Sequence, residues 1–292
     1  IEVHDGALMR IALRAMADGA PGPTGRPLGE GVKAARLALS DGSAFTFGAT
    51  TRPHVLVLDE INRANVSKVL GELITLLEDD KRLAEANEIR LPLAYTPESR
   101  FALPPNLHVL ATMNTADRSI ALLDAALRRR FKFEETPPNP EVLDAVLKSK
   151  GTADEVRRIT VHVMKALNER LEFLYDRDHQ IGHVAFLKVR NLCDLRDALV
   201  NSVIPLLKEY FYASPEKIFL VLGSPHAATG IRRENPHPIL RLHTLTETQV
   251  LGFNHPDFED RKSGIAFDPE FVNAATDDAI RPYLLGIGTP SL

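Results

Sequence analysis

The chain has 292 residues, with 35 Lys plus Arg against 39 Asp plus Glu, a formal charge of −4 and a pI near 6.2. At 44% hydrophobic and 25% charged residues it holds enough apolar material for a sizeable core, which excludes whole-chain disorder, and its length suggests roughly two domains. The single cysteine, Cys193, excludes an internal disulfide and points to a reducing, cytoplasmic setting; no apolar run reaches the ~18 residues of a membrane span, and the mild acidity argues against a dedicated nucleic-acid surface.

In chain order, Asp5 and the spacing of Leu8, Ile11, Ala12 and Ala15 predict a helix that stops at Asp18-Gly19. Residues 20–31 are crowded with Pro and Gly and read as an exposed loop. A short strand is expected at 44–47, then a buried parallel strand at His54–Leu58 that ends in two acids, Asp59 and Glu60. From Asn65 the apolar period becomes helical through Val66, Val69, Leu70, Leu73, Ile74 and Leu77. Residues 91–95 and 100–103 read as a hairpin. A second buried strand, Leu107–Ala111, runs into Met113-Asn114-Thr115-Ala116-Asp117-Arg118-Ser119, with a helix expected over 121–130. Strands, helices and hairpin in this order predict a layered α/β domain with functional groups at the carboxyl ends of its strands.

Pro137, Pro138 and Pro140 mark the expected domain boundary. Beyond it, helical spacing links Val156, Ile159, Val163, Leu167 and Leu171, and again Leu192, Leu195, Leu199 and Val203, with Pro205 expected to start a further helix. The resulting division is 1–136, an α/β core; 137–222, a small helical domain; and 223–292, an extension in which periodicity fades.

An apolar strand ending in Asp59-Glu60 suits a nucleotide hydrolase: one carboxylate holds the hydration shell of Mg²⁺ and the next orients or deprotonates the attacking water. For two acids alone, a strand end that caps the next helix is the plainer reading. The wider context shifts the balance. Leu58-Asp59-Glu60-Ile61-Asn62-Arg63-Ala64-Asn65, the 113–119 stretch and Leu123-Asp124-Ala125-Ala126-Leu127-Arg128-Arg129-Arg130-Phe131 together resemble the AAA+ proteins of the McrB family, GTP-hydrolysing motors of modification-dependent restriction systems. Ile181-Gly182-His183 and the run from Ile204 to Tyr210 are similar to that family's helical lid.

The resemblance implies an AAA+ P-loop NTPase core, a layered parallel sheet with flanking helices, followed by the lid. It implies Asp59 and Glu60 as the Walker B pair, with Asp59 on Mg²⁺ through water, and Asn114 as sensor 1, whose amide can accept from water and donate to phosphate. It gives Asp117 and Arg118 to the nucleotide site, where the plain alternative is a local ion pair. Asn114-Thr115-Ala116-Asp117 is superficially similar to the guanine-reading motif of Ras-like GTPases, but lacks the Lys. Arg128-Arg129-Arg130 ends a helix, where cations are ordinarily favoured. In a ring, Arg129 or Arg130 would act as an arginine finger on the neighbour's nucleotide. His183 is assigned a place near the base, ribose or phosphates, or alternatively a packing role. His179 and His183 approach a zinc-protease pattern, but Gln180 stands where the general base belongs.

A phosphate-binding loop is expected ahead of Walker B. The only Gly-rich stretch, 19–31, puts Ala20, Arg26 and Pro27 where Gly, Lys and a hydroxyl belong, and it follows a helix rather than a strand. The start at Ile1 rather than Met fits an expectation that strand, loop and first helix lie upstream, so that the chain as given would be inactive alone. The expected function is GTP or ATP hydrolysis with Mg²⁺ in a ring, which the resemblance implies is a hexamer, driving a McrC-like nuclease subunit on modified DNA that a separate N-terminal domain reads. The alternatives are an ATP-dependent AAA+ remodelling protein of the MoxR or dynein-related kind, and a non-catalytic remnant without a P-loop.

Overall fold

The computed structural model describes residues 6–93, 96–116, 125–223, 239–245 and 262–288. The chain forms two compact units, 1–134 and 135–292.

In the first unit, α1 (Ala7–Met16) buries Ala12, Leu13, Ala15 and Met16, the face its spacing predicts. The Pro/Gly stretch then proves shorter than expected. A second helix, α2 (Leu28–Asp41), starts directly after Pro27 and ends at Gly42 in the left-handed conformation. Its alternating Gly, Ala and Leu obscure the helical period, yet those small residues let it approach α1. A Cβ on Gly31 would lie 2.9 Å from the Ala17 Cβ.

The expected strand at 44–47 is not a strand. Phe45 is buried and stacks on Phe47 with ring centroids 6.1 Å apart, while the Thr46 amide donates to the Gly19 carbonyl at 2.9 Å. Side-chain packing at alternate positions, with no ladder partner among the described residues, produced the strand-like pattern.

β1 (His54–Leu58) pairs in parallel with β4 (Leu107–Ala111), in register from His54 opposite Leu107 to Leu58 opposite Ala111. Leu56, Leu58, Val109 and Ala111 pack on the unit's core, which is centred on Leu13, Leu39, Phe101, Leu103 and Leu107. The strands are not buried on both faces as their apolar runs predict: Val55, Val57 and Leu110 are more than half exposed. A pleat sends alternate residues to opposite faces, and only one face is covered within the described chain.

The single helix expected from Asn65 is interrupted. Asn65 caps α3 (Val66–Leu70) by accepting from the Lys68 amide at 3.0 Å, but Gly71 adopts φ +52° and the chain continues as tighter 3₁₀ turns over Gly71–Leu77. Arg82 then reaches back, its guanidinium donating to the Leu107 carbonyl at 2.6 Å and so tying this segment to the first residue of β4. β2 (Leu91–Leu93) and β3 (Thr96–Phe101) form the expected antiparallel hairpin. Of the helix expected over 121–130, the described part is α4 (Ala125–Arg128).

The second unit opens with α5 (Pro140–Ser149). Asn139 caps it by accepting from the Val142 amide at 3.0 Å, and Pro140 stands in its first turn, where a missing amide hydrogen costs nothing. α6 (Asp154–Leu174) buries Val156, Ile159, Val163, Leu167 and Leu171. Pro205 does not begin a separate helix. α7 (Leu192–Ala198), a wider π turn (Leu199–Val203) and α8 (Ile204–Tyr210) are continuous. Pro205 cannot donate to the carbonyl one turn back, and the π turn immediately before it provides the altered spacing that tolerates this.

After α9 (Glu216–Val221), β5 (Leu240–Leu245) and β6 (Lys262–Phe267) pair antiparallel, followed by α10 (Pro269–Asn273) and α11 (Asp277–Gly288). Ile280, Leu284 and Ile287 of α11 share one core with Val163, Leu167, Leu195 and Leu199. Asp277 accepts from the Leu192 and Cys193 amides at 3.0 and 3.3 Å, capping α7 from a distant part of the sequence. The described residues beyond 223 are thus packed into the second unit.

Candidate active site

β1 and β4 end side by side, so the register that pairs Leu58 with Ala111 brings Asp59 next to Thr112. The Thr112 hydroxyl donates to Asp59 Oδ1 at 2.5 Å and accepts from the Glu60 amide at 2.9 Å. Its main chain continues the link: the Thr112 amide donates to the Leu58 carbonyl at 3.0 Å, and the Thr112 carbonyl accepts from the Ile61 amide at 2.9 Å. Glu60 adopts φ +51°, ψ +52°, a left-handed conformation that an L-residue keeps only when its surroundings hold it. Its carboxylate forms an ion pair with Arg63.

Asn62 is 7% exposed and donates from Nδ2 to the Asn114 carbonyl at 3.0 Å, joining the acidic turn to the segment after β4. Its Oδ1 is buried without a hydrogen-bond partner among the described residues. Asn114 is exposed, and its Oδ1 accepts from the Ala116 amide at 3.1 Å in a tight local turn. That bond occupies one lone pair of Oδ1, so the side chain can still accept once more and donate from Nδ2.

Asp59, Glu60 and Asn114 are therefore gathered at the carboxyl end of a parallel strand pair, where open α/β sheets bind ligands. Thr112 and Asn62 escaped the sequence reading. Thr112 was legible in principle, because aligning the two strands puts it opposite Asp59. The burial of Asn62 depends on tertiary packing and has no local signal.

Asp117 and Arg118 lie outside the described residues. Arg129 is exposed, whereas the Arg130 side chain is 6% exposed and its Nη2 lies 2.5 Å from Glu78 Oε1. Arg128 stacks its guanidinium over Phe133, 5.5 Å from the ring centroid. Among the described residues no strand precedes the Gly-rich stretch, and Arg26 folds back to donate to the Ala20 and Pro21 carbonyls at 2.5 and 2.7 Å.

In the second unit, His183 is half-buried and its Nδ1 accepts from the Asn139 amide at 3.3 Å. His179 is buried, with Nδ1 2.5 Å from Asp176 Oδ1 and its ring edge-on to Tyr175 and Tyr210. These environments give His179 a packing role. Among the described residues there is no cluster of three or more His, Cys, Asp or Glu that could hold a metal by itself. A lone strand-end carboxylate such as Asp59 suits Mg²⁺, which keeps most of its waters and is shared with substrate phosphates. No described helix is long and apolar enough to cross a membrane.

Residues 3–131 match the family described as AAA domain (dynein-related subfamily), and residues 160–219 match the McrB alpha-helical lid domain. The chain is 35% identical over 185 residues to the Type IV methyl-directed restriction enzyme EcoKMcrB subunit of Escherichia coli, covering 57% of this chain and 38% of that protein. It is 34% identical over 92 residues to the Type II restriction enzyme BsuMI component YdiS of Bacillus subtilis, covering 27% of this chain and 26% of that protein. The chain thus spans well under half the length of either relative. An AAA domain with its parallel strand pair and flanking helices, followed in the same order by a McrB lid, makes this chain a McrB-like AAA+ protein.

Proposed function

We propose that the chain is the motor portion of a restriction system, hydrolysing GTP or ATP with Mg²⁺ in a ring and working with a nuclease subunit on modified DNA. The observation that carries this reading is the convergence of Asp59, Glu60 and Asn114 where β1 and β4 end. The similarity to a methyl-directed restriction enzyme subunit supports the link to DNA restriction.

Asp59 would hold the hydrated Mg²⁺. When bound, the ion neutralises charge on the β and γ phosphates. Glu60 would accept a proton from the attacking water or orient it, after leaving its pairing with Arg63. Asn114 would position that water against the γ-phosphate, and Asp117, Arg118 and His183 would contact the nucleotide. Arg129, the exposed member of the arginine pair, would reach a neighbouring subunit's nucleotide. Arg130, held by Glu78, is the less suited of the two.

The match to a dynein-related AAA domain favours one second reading, an ATP-driven remodelling protein. GTP and ATP turnover, measured on the full-length protein with and without a McrC-like subunit, separates the two. GTP preference and stimulation by that subunit support the restriction motor. ATP preference with no stimulation supports the remodelling protein.

A further inference from the structure

We propose that Thr112 is a positioning residue that sets both acids of the hydrolytic pair through one hydroxyl. The inference rests on the functional reading of Asp59 and Glu60 above. It begins with the polarity of two short bonds. An ionised carboxylate only accepts and a backbone amide only donates, so a hydroxyl placed between them has one possible arrangement. Its single proton goes to Asp59 Oδ1, 2.5 Å away, and a lone pair takes the Glu60 N–H, 2.9 Å away.

Two consequences follow for the chemistry. Asp59 has one oxygen committed to Thr112, which fixes the carboxylate's rotation and leaves Oδ2 for the water shell of a cation. Glu60 has its amide satisfied in the left-handed conformation that aims its side chain, a conformation no glycine is present to relieve.

The main chain of Thr112 reinforces both effects by bonding to Leu58 on one side and Ile61 on the other. A single residue at the end of β4 thereby touches four successive residues of the β1 turn, 58–61. Asn62 adds a fifth link, to the Asn114 carbonyl, so the water-positioning and metal-holding segments are braced against each other. Groups that orient a metal-holding carboxylate in this way typically change metal affinity or activity by about 10- to 100-fold when removed.

Thr112→Val keeps the branched shape and removes both hydroxyl bonds, while Thr112→Ser keeps the hydroxyl. The measurements are kcat, nucleotide KM and the Mg²⁺ concentration for half-maximal turnover in the full-length protein, with thermal melting of each variant. Thr112→Val is expected to lose about 10- to 100-fold in kcat and to need more Mg²⁺, with nucleotide KM within about 3-fold of wild type; Thr112→Ser is expected to stay within about 3-fold throughout.

Wild-type turnover and Mg²⁺ dependence in Thr112→Val would overturn the proposal. So would Thr112→Ser being as defective as Thr112→Val, since packing rather than the hydroxyl would then be responsible. If the wild-type protein releases no phosphate, the functional reading fails first. Amide hydrogen exchange at Glu60 in the present chain then decides the structural half: exchange faster in Thr112→Val and protected in Thr112→Ser supports the clamp, and equal exchange in both overturns it.

Discussion

Arg129 and Arg130 are neighbours in sequence with opposite surroundings. Arg130 is 6% exposed and paired with Glu78, so Arg130→Ala should cost about 1–3 kcal/mol of stability, read as a lowered denaturant midpoint. Arg129 is exposed, and Arg129→Ala should leave that midpoint unchanged while lowering turnover of the assembled protein by about 10³-fold. Equal stability loss in both variants would contradict the distinction. The run of three arginines was legible as a helix end, but nothing local marks which one is buried, because that depends on the Glu78 carboxylate just past the 3₁₀ segment. The same holds at the acidic pair. Asp59 and Glu60 stand out in the sequence by following an apolar strand, whereas the left-handed backbone of Glu60 and its bond to Thr112 exist only once β4 is alongside.

At the scale of elements, the two parallel strands and the long helix α6 were legible because their periods are uncontaminated. α2 was hidden by Gly and Ala, which carry little hydrophobic signal but permit its close approach to α1. Gly71 broke a helix whose apolar period continues through it. In the second unit, the cap that Asp277 places on α7 predicts that Asp277→Ala destabilises the unit by about 1 kcal/mol, measurable by thermal melting; an unchanged melting temperature would contradict that role.

Asp194 makes a pH prediction in the same unit. Its bonds to the Arg190 side chain hold its carboxyl below the ordinary range near 3.8. A carboxyl lowered in the folded state binds protons more readily when unfolded. Its stabilising contribution is therefore complete above the unfolded value and is lost as pH falls through the lowered folded value. Asp194→Asn should accordingly make stability less sensitive to acid below about pH 4. An acid transition identical to wild type would contradict it.

At the scale of the whole molecule, the first unit carries the strand-end acid pair and the second carries a helical lid that incorporates the described C-terminal elements. If the finger is supplied by a neighbour, turnover per subunit should rise with protein concentration, and mixing Arg129→Ala with Glu60→Gln subunits should restore activity at the interfaces where intact groups meet. Concentration-independent turnover would contradict a ring. The most direct test of the central claim compares wild-type and Glu60→Gln full-length protein for nucleotide binding and γ-phosphate release in the same samples. The expected result is unchanged binding with release slowed by about 100-fold or more. Release at the wild-type rate from Glu60→Gln would contradict the assignment of hydrolysis to this acid pair.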